Sequence, residues 1–216
     1  MQRLVPYPLV VLLFSGIFAA TAVADTIVVS NTGFGGAVDD SPLEVLYTSW
    51  TQPGTFTDVS ISAQLDGNFP YDEAFSGEAY LTTMIGAGTT VADQVAATPF
   101  SVAAGASGMV SLFSGLTLGP DTYYLVIEDT SGDGGWDIVS GPSVTAPGVT
   151  TITDHCQLYG TGYPPSYSSN DICGGNLIGF QVVSVSPSSA VPEPGTLGFA
   201  LIGSLSLLLL RRRPAQ

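Results

Sequence analysis

Between residues 58 and 65 apolar and polar positions alternate without a break. Val59, Ile61, Ala63 and Leu65 are apolar, and Asp58, Ser60, Ser62 and Gln64 are polar. A period of two places each set on its own face of a half-buried strand. Thr122–Glu128 (TYYLVIE) carries the aromatic and branched residues that suit a pleated surface. The same reading predicts strands over Ile27–Ser30, Glu44–Trp50, Glu78–Ile85, Gly108–Phe113, Trp136–Val139, Val149–Thr153 and Ile178–Val185. Turn residues separate them, as at Asp66-Gly67-Asn68, Gly86-Ala87-Gly88 and Gly119-Pro120-Asp121. Eight or nine short strands without helical periodicity predict an all-β fold, an antiparallel β-sandwich of jelly-roll-like type. No internal repeat appears, which disfavours a solenoid or propeller.

The two ends break this pattern. Met1-Gln2-Arg3 is a short positive start, Leu9 to Ala20 an apolar core, and Ala22-Val23-Ala24 a small-residue site. Together they predict a secretory signal peptide over residues 1–24, cut after Ala24. Near the other end, Thr196 to Leu210 holds no charge, and Arg211, Arg212 and Arg213 follow at once. A helix of that length spans roughly 22 Å, short of the ~30 Å hydrocarbon core unless the arginines snorkel. A single transmembrane helix over 196–210 is expected. The arginine cluster acts as a stop and keeps the C-terminus cytoplasmic by the positive-inside rule. Residues 25–190 then form the ectodomain, on the far side of the membrane.

Charge sharpens this division. All four cations, Arg3 and Arg211 to Arg213, lie in the ends, whereas residues 25–190 hold 17 of the 18 acids and no Lys or Arg. No salt bridge to Lys or Arg can form inside the domain. Nucleic acid is excluded as a partner, since its phosphates are bound mainly through Lys and Arg. The acids either form a solvated, self-repelling surface or hold divalent cations.

Val191-Pro192-Glu193-Pro194 stands just before the apolar tail. Signal peptide, acidic ectodomain, Val-Pro-Glu-Pro, short apolar helix and arginine cluster, in that order, resemble the PEP-CTERM sorting signal of Gram-negative bacteria. The resemblance covers residues 191–216. It implies that Pro192, Glu193 and Pro194 are recognised by an exosortase, a membrane-embedded processing enzyme that removes the tail. The mature protein would then sit at the cell surface or in the exopolysaccharide matrix. Two prolines hold such a segment extended and out of the following helix, within reach of an enzyme.

A looser similarity covers residues 45–137. Trp50-Thr51-Gln52, Phe56–Ile61, Tyr80-Leu81-Thr82 and Phe113–Leu118 running into Tyr123-Tyr124-Leu125 resemble ectodomains often carried by PEP-CTERM proteins. It implies a sandwich and surface display, and names no ligand.

Cys156 and Cys173 are the two cysteines. An even pair in an exported chain suggests a disulfide closing a loop rich in Gly, Pro, Ser and Tyr. The alternative, a metal site, has only His155 nearby as an imidazole ligand. Asp129, Ser131, Asp133 and Asp137 stand at the first, third, fifth and ninth ligand positions of an EF-hand-like calcium loop, with Gly134 at the sixth. Ser140 falls where a closing Glu belongs, so a plain Asp/Gly hairpin turn competes with calcium. No other cofactor is indicated.

Enzyme chemistry finds little support. A Ser-His-Asp triad would have to use His155, no Gly-x-Ser-x-Gly elbow is present, and a metal hydrolase lacks a histidine cluster. A carboxylate glycosidase needs only two acids, and Asp72 with Glu73 or Glu128 with Asp129 are the adjacent pairs. Strand neighbours point to opposite faces, so neither pair is ready-made. Trp50, Tyr123, Trp136, Tyr159, Tyr163 and Tyr167 are the aromatics considered for stacking on sugar, with core packing the competing role for Trp50 and Tyr123. The expectation is a non-enzymatic structural or adhesive module. Its partners would be the inner membrane in transit, an exosortase-type enzyme and exopolysaccharide. A carbohydrate-binding module or a secreted glycosidase is the alternative.

Overall fold

The computed structural model describes residues 25–33, 35–40, 44–86, 88–152, 155–159, 172–174 and 176–185. All fall within one compact unit, Val23–Pro187. The signal-peptide residues Ala22 and Ala24, the motif Pro192, Glu193 and Pro194, the apolar tail and Arg211 to Arg213 lie outside the described residues. Among the described residues no helix is long and apolar enough to cross a membrane.

Among the described residues, fifteen strands and one 3-10 turn at Val91–Asp93 build the unit. The longer ones are β1 (Asp25–Asn31), β3 (Glu44–Gln52), β4 (Phe56–Asp66), β5 (Phe75–Thr82), β6 (Gln94–Val102), β7 (Ser107–Leu118), β8 (Asp121–Ser131), β9 (Gly134–Val139) and β15 (Phe180–Val185). Shorter ones are β2 (Gly36–Asp40), β10 (Val144–Thr145), β11 (Thr150–Thr151), β12 (His155–Tyr159), β13 (Ile172–Gly174) and β14 (Leu177–Ile178). They form two antiparallel sheets. The first runs β10-β1-β15-β4-β9-β14, with β7 also beside β4 and β2 beside β9. The second runs β13-β12-β3-β8-β5-β6, with β11 beside β3.

The period-two pattern does what it predicts. Val59, Ile61, Ala63 and Leu65 of β4 are at most 1% exposed and share one core with Leu46 and Trp50 of β3 and Leu125 and Ile127 of β8. That core lies between the sheets, and the Trp50 and Phe180 rings meet across it at 5.9 Å. The fold is therefore all-β and sandwich-like, as expected.

One polar side chain locks the core. Gln52 is 1% exposed; its Oε1 accepts from Trp50 Nε1 at 3.0 Å. Its Nε2 faces the carbonyls of Leu118 and Gly119 at 3.0 and 2.9 Å, pinning the β7–β8 turn to the end of β3. Gln52→Ala strands these buried groups, so a urea titration should show a loss of about 2–3 kcal/mol.

Candidate functional site

Three connections converge at one end of the sandwich. After β4 the chain turns at Asp66, whose Oδ1 accepts from the Asn68 N–H at 2.8 Å. The Gly67 N–H donates to the Ala106 carbonyl at 2.7 Å and the Gly105 N–H to the Gly67 carbonyl at 3.2 Å. The β4–β5 and β6–β7 connections are thus laced together. The third is the turn from β8 to β9, where the Asp133 N–H donates to Glu73 Oε1 at 2.8 Å. Gly132 takes a φ of +80° there, and a Cβ on it would strike the Ala74 carbonyl and Phe75, so only glycine passes this point without strain.

Two aromatics stand on this end without a core role. Tyr71 is 71% exposed and Phe69 37%. Where their loop runs through Ala74 into β5 opens a groove of about 410 Å³ with Phe75, Val102, Ser76, Ser101 and Ser131 in its walls. A neighbouring groove of about 250 Å³ shares Ser101 and Val102 and runs on to Met109 and Val110. No carboxylate lines either groove. The acids sit outside them, with Asp72 and Glu73 exposed on the loop.

The EF-hand-like segment links two strands of different sheets. Asp129 ends up on β8 in one sheet and Asp137 on β9 in the other, so the segment carries the chain between sheets. The left-handed glycine is Gly132, while Gly134 opens β9 against the Phe75 ring. Both glycines thus have packing reasons that owe nothing to a cation. Among the described residues no three His, Cys, Asp or Glu side chains are grouped to hold a metal.

Asp137 has surroundings of its own. It is fully buried, and Gln64 Nε2 donates to its Oδ2 at 2.7 Å and to the Gly33 carbonyl at 2.8 Å. Asp137 Oδ1 has no hydrogen-bond partner among the described residues. Burial pushes its pKa up to about 6; the Gln64 bond opposes this, and the negative charge of Asp66 adds to it.

Of the aromatics weighed for sugar stacking, Trp50, Tyr123 and Trp136 are 1%, 5% and 0% exposed. They are core residues and present no face to a ligand. Trp136 Nε1 donates to the Gly179 carbonyl at 2.7 Å, and the Tyr123 hydroxyl to the Gly119 carbonyl at 3.0 Å. Burial, then Asp121, raises the Tyr123 pKa. Tyr159 contributes its backbone to β12, and Tyr163 and Tyr167 lie outside the described residues.

The acids also pair in a way the sequence did not suggest. Glu128 does not share a site with its neighbour Asp129; it stands directly opposite Glu78 of β5. Directly opposed residues of antiparallel strands share a face. The Tyr80 hydroxyl donates to Glu128 Oε2 at 3.1 Å, and the Tyr47 and Tyr124 rings meet edge-on at 6.1 Å in the small cluster on that outer face.

The backbone register places Cys156 of β12 directly opposite Cys173 of β13. Their side chains lie outside the described part of the structure. No protein-family model matches the chain, and no curated protein matches it.

Proposed function

We propose that this chain is an exported protein, sorted through its Pro192-Glu193-Pro194 tail by an exosortase-type enzyme and displayed at the cell surface or in the exopolysaccharide matrix. Its ectodomain acts there as a non-enzymatic structural or adhesive module. The observation that carries this reading is the partition of charge. Every Arg lies in an apolar end segment, and 17 acids lie in the residues 25–190 between them. Cations hold a chain at a membrane's cytoplasmic face, and a uniformly acidic domain is free to cross. Two further features support it. The two antiparallel sheets suit a jelly-roll-like sandwich, an architecture used by lectin domains. The opposed register of Cys156 and Cys173 suits a disulfide of an oxidising compartment, since directly opposed antiparallel residues have Cα atoms roughly 4.5–5.5 Å apart.

Fractionation of cells carrying an epitope within residues 25–190 tests the sorting. The wild-type chain is expected in the surface or matrix fraction, shortened at both ends. Glu193→Ala is expected to leave a longer form in the inner membrane. Wild-type chain found at full length in the inner membrane, or an E193A chain that travels normally, refutes the role given to the motif.

A glycosidase is the second reading, favoured by the opposed Glu78 and Glu128 beside Tyr80. A retaining mechanism needs two carboxyl groups about 5 Å apart, and opposed strand positions hold their Cβ atoms at a comparable separation. Release of reducing sugar from a polysaccharide, abolished in Glu128→Gln, would establish it in place of the first.

A further inference from the structure

We infer that the end of the sandwich bearing Tyr71 is a docking site for a polysaccharide with free amino groups, a hexosamine polymer. This names the ligand class of the adhesive module proposed above and rests on that reading.

The argument starts from exposure. Tyr71 leaves 71% of its surface in water, whereas Trp50, Tyr123 and Trp136 are buried. An aromatic ring gives an apolar face and, in tyrosine, a polar tip, which suits a sugar ring with its apolar face and hydroxyl rim. Tyr71 and Phe69 are carried by a loop held at both ends. The Asn68 N–H is bound by Asp66, and the Asp133 N–H by Glu73. Backbone bonds from Gly67 and Gly105 fasten it further to the β6–β7 connection. A ring on a tethered loop loses less freedom on binding.

The groove at the foot of its loop has the right chemistry. Its volume of about 410 Å³ falls within the range of small-ligand sites. Ser76, Ser101 and Ser131 bring hydroxyls to its walls and Phe75 and Val102 bring apolar surface. Such a lining matches a neutral, hydroxyl-rich ring.

Charge then selects among polysaccharides. Asp72 and Glu73 follow Tyr71 on the same loop, Glu73 accepts from the Asp133 N–H, and residues 25–190 contain no Lys or Arg. A uronate, sulfate or phosphate on the polymer would meet only carboxylates. A protonated amine would meet complementary charge at every approach, with faster association at low salt.

Binding of the full-length protein, purified in detergent, to soluble chitosan oligomers at about pH 6 tests this directly, since the amines are then charged. Fully N-acetylated oligomers of the same length should bind about tenfold more weakly or worse, a difference of ~1.4 kcal/mol. Tyr71→Ala should weaken chitosan binding about tenfold with an unchanged melting temperature, because the ring is exposed. Asp72→Asn combined with Glu73→Gln should weaken binding and flatten its dependence on salt. Equal binding of the N-acetylated oligomers, no binding of chitosan, or an unaffected Tyr71→Ala protein would each overturn the proposal. So would polylysine bound as tightly as chitosan and equally insensitive to Tyr71, which would make the domain a general polyanion. The fractionation experiment is independent: chitosan binding fails or succeeds whether or not Glu193 directs sorting.

Discussion

Acidification from about pH 7.5 to about pH 5 should stabilise this domain, the reverse of ordinary acid sensitivity. Asp137 supplies the specific part. Its carboxyl is fully buried and its pKa is pushed up to about 6 in the folded protein, from an ordinary value of 3.8. A raised folded-state pKa means that the folded form binds the proton more tightly. The contribution is complete below about pH 4 and is lost as the pH rises through about 6. At about pH 5 Asp137 alone contributes roughly 1.4 kcal/mol relative to about pH 7.5, or some 3–6 °C in melting temperature. Repulsion among the 17 acids of residues 25–190, which hold no Lys or Arg to relieve it, opposes the fold at neutral pH as well. Adding about 0.5 M NaCl at neutral pH should therefore also raise the midpoint, through screening. Asp137→Asn separates the two effects. The amide oxygen keeps the Gln64 bond and the charge is gone. Stability at neutral pH should rise by about 1–2 kcal/mol, and the pH dependence between about 4 and 6 should shrink, while the salt effect persists. Stability that falls steadily from about pH 7.5 to about pH 5 in the wild-type protein would show that Asp137 is not held as the structure places it.

How far the sequence foretold this arrangement depends on what each residue needed to be read. Val59–Leu65 was legible because one face is core and the other wet, so burial writes itself as alternation. β6 was missed. Pro99 sits in its middle, and β6 pairs only with β5, so the strand forms the sheet edge where proline is tolerated. β2 was missed because Asp39 and Asp40 make it look like a turn; its partner β9 supplies the pairing instead. Val149–Thr153 was expected as a full strand; among the described residues Thr150–Thr151 pair with β3 and the Ile152 N–H donates to the Ser49 carbonyl. Tyr71 did have a signal. Asp66-Gly67-Asn68-Phe69-Pro70-Tyr71-Asp72-Glu73 sets two aromatics among turn formers with no alternation to bury them. The Glu78–Glu128 pair had none, since it depends on a register between strands 50 residues apart in sequence. Asp137 stood out in the sequence for its place in an acidic loop; its burial and its bond from Gln64 depend on packing between distant strands and left no local signal.

Reduction of the purified, full-length protein should lower its stability by about 3 kcal/mol, the chain-entropy value for closing a loop of this size. The loop is Gln157–Ile172, rich in Gly, Pro, Ser and Tyr, and it leaves β12 and returns as β13. Such a composition brings little apolar surface, so a covalent link at its base constrains the unfolded chain where burial adds little. The register sets Cys156 opposite Cys173 and, on the other side, opposite Tyr47 of β3. Because β12 and β13 lie at the margin of their sheet, opening the link should release the margin and leave the central strands β3, β8 and β5 paired. Hydrogen exchange should then rise in β12 and β13 on reduction while the amides of β8 stay protected. Cys156→Ser should reproduce the reduced protein, with no further loss on adding reductant. Mass spectrometry under non-reducing conditions checks the premise: two free thiols in protein taken from the surface fraction would mean that register alone joins these strands, and the expected 3 kcal/mol would be absent.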